Sequence, residues 1–246
     1  MRIYVQNLSR GEVTDEEALR VCAAIQKQID RHYYKYWSWR GFIKYTGNLP
    51  PKPGNVSRRD DAVIYLQNEA DVAGALGYHD VTNKGLPYGF VFLDIAAQIG
   101  EPWSVTFSHE VLELLGDVEV NLLAIGPHPT ANRNVLHWYE MCDAVQNETY
   151  DIDGVTVSNF VLPLYFTSTA EEGGQNDYLN TGLKSFGVNP GGYIGFYDPT
   201  TGQHTTFSRT DDLVAKRRLG IKEQAGLARR GARYQDVLPP HPPPSV

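Results

Sequence analysis

The chain has 246 residues, is 41% hydrophobic and 21% charged, and carries a formal net charge of −7 with a pI of about 5.5. That length supports one sizeable domain with a buried core, and the acidic balance argues against nucleic acid as the main partner, since phosphate binding needs clustered Lys and Arg. Two cysteines, Cys22 and Cys142, cannot build a disulfide framework and read as buried thiols. No apolar run reaches the ~18–20 residues of a membrane span, and the N-terminus lacks an apolar signal core, which points to a cytoplasmic or virion protein.

Ile3–Leu8 reads as a short strand. Thr14-Asp-Glu-Glu17 is a capping box, with Thr14 as N-cap and Glu17 reaching back. In the helix that follows, Ala18, Cys22, Ile25, Ile29, Tyr33 and Tyr36 recur at helical spacing and form the expected buried face. Residues 47–59 are dense in Pro and Gly and read as loop. Ala62–Leu66 and Gly89–Ala96 are apolar, β-branched or aromatic runs and read as strands, with strand or loop at 74–83 between them. Pro102 opens a helix to about Leu115, and Gly116 stops it. Residues 120–134 read as loop, and 136–145 as strand or short helix. Hairpins are expected around Asp153-Gly154 and around Asp198–Gly202, with irregular chain at 173–192 between them. From Asp211 the chain reads as a basic helix, ending in a Pro-rich tail.

Chemistry concentrates in Ser108-His-Glu-Val-Leu-Glu-Leu-Leu-Gly-Asp117. His109 and Glu113 stand four apart on the expected helix, so both side chains point the same way and can share one metal ion. Glu110 is adjacent and can act as a general base. Further on, Trp138-Tyr-Glu-Met-Cys-Asp143 sets two acids in an apolar run, and buried acids need partners.

The segment resembles the H-E-x-x-H motif of the zincin metallopeptidases, with Glu113 in the place of the second His. The stretch from His109 to Phe166 also resembles a group of uncharacterised bacterial and phage zincin-like proteins. It shares with them His109–Glu113, Asp117, Glu140–Asp143, Asp153–Ser158 and Pro163–Phe166, with Pro190-Gly-Gly-Tyr193 beyond. The resemblance implies a zincin-like α+β fold, a mixed twisted sheet with an edge strand, a backing helix and a metal-site helix. In that fold the metal helix follows an edge strand that pairs with substrate, a position Gly89–Ala96 would fill here. It also implies His109, Glu113 and Glu140 as metal ligands and Glu110 as catalytic base. Asp117, Glu119 and Asp143 are alternatives for the third ligand, Glu119 because the chain reads H-E-x-x-E-x-x-G-x-x-E with Gly116 in register. Zinc is the expected ion, although a carboxylate-rich set also suits a harder one such as manganese or calcium. Carboxylate in place of imidazole lowers the net charge of the site, which weakens the ion as a Lewis acid.

Elsewhere, His79, His128, His137 and His204 lack ligand spacing and read as surface or structural residues, with His137 set apart by standing three before Glu140. Tyr139 reads as a packed aromatic, with oxyanion stabilisation as its alternative role. The expected organisation is a zincin-like domain over 1–168, a hairpin-containing extension over 169–210 and a basic helix with Pro-rich tail over 211–246. Two functions follow. One is a metal-dependent peptidase or amide hydrolase acting on a peptide or protein. The other is a catalytically weak or inactive zincin-fold structural or interaction protein, such as a virion component, with the tail docking on an assembly partner.

Overall fold

A computed structural model describes residues 1–51, 60–70, 76–82, 85–167 and 174–209. It has mixed α+β architecture with three sheets. The basic helix and tail expected from 211 onward lie outside the described residues.

The first half alternates strands and helices. In chain order these are β1 (Arg2–Asn7), α1 (Asp15–Lys27), a π-helical turn (Gln28–Tyr33), α2 (Tyr34–Trp37), β2 (Phe42–Tyr45), β3 (Asp61–Gln67), β4 (Gly77–Val81), β5 (Pro87–Phe92) and α3 (Leu93–Ile99). The five strands form one sheet in the order β2-β1-β3-β5-β4. β1 runs parallel to β2 and β3, and β3 parallel to β5, while β4 lies antiparallel to β5 at the rim. β3 from Ala62 to Leu66 and β5 along its length are apolar because both their faces are covered.

Of the two edge strands, β2 and β4, it is β4 that packs over α4, and the expectation that Gly89–Ala96 fills the edge position is corrected. β5 lies inside the sheet and ends at Phe92. Leu93-Asp-Ile-Ala-Ala-Gln-Ile99 turns helical instead, and Gly100 closes that helix in the left-handed region at φ 69°.

Thr14 caps α1 as expected, its Oγ1 accepting from the Glu17 N–H at 3.2 Å. Glu17 does not reach back; its carboxylate accepts from Trp103 Nε1 at 2.8 Å. Ala18, Cys22, Ile25, Ile29 and Tyr33 are buried as the spacing requires, but the next buried position is Trp37 and not Tyr36. The π-helical turn causes the shift, since its extra residue moves the inward face one position along the chain.

The central helix α4 (Trp103–Gly116) is buried at every position from Ser104 to Gly116. A helix apolar or enclosed all round belongs in the middle of a core. One side is tied to the hairpin of β8 (Thr149–Ile152) and β9 (Val155–Ser158). Ser104 Oγ donates to the Thr156 carbonyl, and Ser108 Oγ accepts from the Ser158 N–H, both at 2.7 Å. This hairpin turns at Asp153 (φ 53°) and Gly154 (φ 76°), the paired left-handed conformation of a tight two-residue turn. The other side of α4 packs under β4 and β5.

A third sheet has the order β11-β10-β7-β6. Its strands are β6 (Leu123–Pro127), β7 (Asn134–Trp138), β10 (Tyr193–Asp198) and β11 (Gln203–Ser208). β6 falls where loop was expected, recruited by pairing with β7 in register from Leu123↔Trp138 to Pro127↔Asn134. β10 pairs with β7 through Phe196↔His137 and Tyr197↔Leu136, which joins the hairpin of 169–210 to a strand from 1–168. No helix among the described residues is long and apolar enough to cross a membrane.

Candidate metal centre

Three pieces of chain meet at one buried point. α4 contributes His109, Glu110 and Glu113, and the turn after β7 contributes Glu140, Cys142 and Asp143. β4 contributes His79. Each element is held there by its own backbone bonds. The turn is pinned where the Cys142 N–H donates to Glu113 Oε1 at 3.1 Å and the Val161 N–H to the Met141 carbonyl at 2.7 Å. β4 lies close over α4 because Gly77, two residues from His79 and on the same face, has no side chain. A Cβ there would stand 2.7 Å from Thr106 Cγ2 and 2.9 Å from Glu110 Oε1.

His109 Nε2 lies 3.0 Å from Glu113 Oε2 and 3.3 Å from Asp143 Oδ1. On the other side of Glu113, the His79 ring is set among three carboxylates. Its Nδ1 is 3.2 Å from Glu110 Oε2 and 3.8 Å from Glu113 Oε2, and its Nε2 is 3.9 Å from Glu140 Oε2. A carboxylate only accepts, so the short contact assigns the Nδ1 proton as donor to Glu110. His79 Nε2 is buried and makes no hydrogen bond.

Two groups of ligand atoms lie within 4.8 Å of one another, His79–Glu113–Glu140 and His109–Glu113–Cys142. Glu113 belongs to both. Of the residues expected to hold an ion, His109 and Glu113 are neighbours as their spacing requires, while Glu140 groups with His79. Asp143, an alternative, stands beside His109. Asp117 is occupied elsewhere, accepting from the Asn121 and Leu122 N–H groups at 3.1 and 2.8 Å. Glu119 is exposed and accepts from Asn121 Nδ2.

The electrostatics follow from the crowding. Burial acts to raise the Glu113 carboxyl, but the charge and hydrogen bond of His109, the charge of His79 and the Cys142 N–H bring it down to about 2. Burial and the charge of Glu113 push Asp143 up to about 6, against hydrogen bonds from His109 and Tyr193. Burial, with Glu113 and Asp143 nearby, holds the Cys142 thiol well above its usual range. Its Sγ is 3.9 Å from the His109 carbonyl. A cavity of about 10 Å³, room for one water, opens beside Glu140 and Asp143 and is bordered by His137 and Phe166.

The arrangement fits a divalent cation. Nδ1–H of His79 is committed to Glu110, so Nε2, which makes no hydrogen bond, is the ring nitrogen left for a cation, with Glu140 Oε2 3.9 Å away. A cation bound there would take the place of the Nε2 proton, with bonds of about 2.0–2.2 Å to nitrogen and oxygen. Glu110 then does for His79 what outer carboxylates do for ligating imidazoles, fixing ring and tautomer.

His79 and Tyr193 are the site residues that sequence reasoning missed. His79 shares no spacing with α4, and only the antiparallel addition of β4 to the sheet carries it there. Tyr193 had one signal, its place in the Pro-Gly-Gly-Tyr segment. Tyr139, weighed as an oxyanion donor, stacks on Phe166 with ring centroids 4.1 Å apart. His137 lies in β7, its Nε2 donating to the Pro127 carbonyl at 2.9 Å. His128 and His204 pack on aromatic rings of the third sheet. Compared with family models, with curated proteins and with solved structures, the chain matches none.

Proposed function

We propose that this chain is a metal-dependent peptidase or amide hydrolase of zincin-like fold. The observation that carries the reading is His79 Nε2, buried without a hydrogen-bond partner and 3.9 Å from Glu140 Oε2. His79, Glu113 and Glu140 would hold the ion, with His109 behind Glu113. Zinc suits the mixed nitrogen and oxygen donors, and manganese suits the carboxylate excess. A bound divalent cation supplies polarisation of a carbonyl and a lowered pKa for water.

The remaining work falls to the protein. Among the described residues β4 pairs only with β5, so its outer backbone edge can take an extended peptide as one more strand. Glu110 Oε2 orients His79, and Oε1, on the side left open by Gly77, can take a proton from water and return it to the leaving amine. The sheet order, with an antiparallel strand at the rim directly over the helix bearing His109 and Glu110, supports the zincin likeness.

A second reading is a cation site that stabilises a structural or interaction protein. It is favoured by burial, since none of the site side chains exceeds 8% exposure and a peptide carbonyl must enter an enclosed cluster. Peptide hydrolysis at saturating metal separates the two. For the hydrolase, Glu110→Gln keeps its ion and loses about 10²–10⁴-fold in turnover. A metal-replete wild type with no Glu110-dependent turnover leaves the structural reading.

A further inference from the structure

We infer that the centre holds two divalent cations bridged by Glu113, a reading that rests on the proposal that the site binds metal at all. The ligand atoms divide into two sets around one shared carboxylate. His79 and Glu140 group with Glu113 in one set and His109 and Cys142 in the other, with Asp143 Oδ1 3.3 Å from His109 Nε2. Glu113 Oε1 accepts from the Cys142 N–H, and Oε2, 3.0 Å from His109 Nε2, is the oxygen that faces both imidazoles.

The second position has the dimensions of a coordination shell. Bonds of about 2.0–2.2 Å at ordinary angles put neighbouring ligand atoms about 2.9–3.6 Å apart. His109 Nε2 stands 3.0 Å from Glu113 Oε2 and 3.3 Å from Asp143 Oδ1. One imidazole N–H serves one of these oxygens at a time, whereas a cation in its place would be held by His109 and Glu113 with Asp143 beside it. Cys142 Sγ falls within the same 4.8 Å group as His109 and Glu113, a soft fourth donor that favours zinc there.

Charge agrees with the count. Glu110, Glu113, Glu140 and Asp143 are four buried carboxylates in contact with two imidazoles, a negative charge that one divalent cation leaves half balanced and to which a Cys142 thiolate would add. Two imidazoles with four carboxylates, one of them shared, is also the ligand inventory of paired-metal carboxylate centres in helical proteins. Two ions held this way stand about 3.5–4 Å apart.

The test is stoichiometry and magnetic coupling. Full-length protein stripped with a chelator is titrated with Zn²⁺ by calorimetry, and bound metal is counted by elemental analysis. A parallel Mn²⁺-loaded sample is read by electron paramagnetic resonance. The expected result is two Zn²⁺ per chain with a spin-coupled Mn²⁺ pair, and for Asp143→Asn one Zn²⁺ with an isolated six-line Mn²⁺ signal. One Zn²⁺ per wild-type chain, or two Mn²⁺ without coupling, overturns the pair. One ion with Glu110-dependent hydrolysis sinks the second cation and leaves the hydrolase standing, while no ion at all sinks both. Circular dichroism checks the fold of Asp143→Asn; should it not fold, wild-type stoichiometry and coupling decide alone.

Discussion

The middle and the end of α4 each bury an acid, and the two acids have opposite surroundings. Asp117, just past the helix, accepts two backbone N–H groups from the chain that follows it. Glu113, one turn earlier, accepts one backbone N–H and otherwise faces imidazoles and other carboxylates. Both are about equally buried. The difference teaches that burial of a charge does not identify a site. An acid satisfied by backbone donors shapes a turn, while an acid set among titratable side chains leaves a requirement that a ligand can meet.

Substitution should separate the two sharply. Glu113→Gln removes the shared ligand and should weaken metal binding by on the order of 10²-fold or more, beyond the loss typical of outer residues, as read by competition with a chromogenic chelator. Asp117→Ala should leave metal stoichiometry unchanged. It should lower stability by about 2 kcal/mol in urea unfolding, because two buried N–H groups lose a charged acceptor. A metal-binding loss in Asp117→Ala with stability intact would erase the contrast.

Acid titration of the metal-free protein sharpens it further. Glu113 is held at about 2, below its ordinary 4.5, so its contribution is full above that ordinary value and disappears as pH falls toward 2. Asp143 stands at about 6, above its ordinary 3.8, so the fold favours its protonated form. Its contribution is full below 3.8 and is lost as pH rises through 6. Thermal melts of wild type against Asp143→Asn should therefore diverge between about pH 4 and 6, with wild type losing stability relative to the variant as pH rises. Parallel curves across that interval would remove the crowding from the account. The smallest effect belongs to an acid outside both environments. Asp153 pairs with Lys27 at the surface, both largely exposed, and Lys27→Ala should change stability by no more than about 0.5 kcal/mol.

Local signals in the sequence were read well where local physics decides. The cap at Thr14, the turn at Asp153-Gly154 and the helix carrying His109 depend on a few adjacent residues, and each is found where its chemistry puts it. What depended on distant pairing was less legible. β6 exists because β7 offers an edge, and β5 is interior because β4 crosses back beside it. His79 belongs to this second class. A histidine in a short strand carries no mark of the helix it will lie over, so this candidate ligand is set by topology and not by spacing. The His-Glu pair of α4 was visible because a helix turn is the shortest range over which two side chains can meet.

The wide turn at residues 28–33 governs more than a buried face. At its end Tyr33 Oη donates to the Leu112 carbonyl, and beyond it Trp37 Nε1 donates to the Val161 carbonyl. Each residue of helix advances direction by about 100°, so a chain one residue shorter at this point would swing Trp37 away from Val161, whose N–H holds the turn that carries Glu140 and Asp143. Side-chain swaps here leave that aim unchanged, whereas a change in residue count does not. The segment is a length gauge, and a single-codon deletion is the alteration it tolerates least.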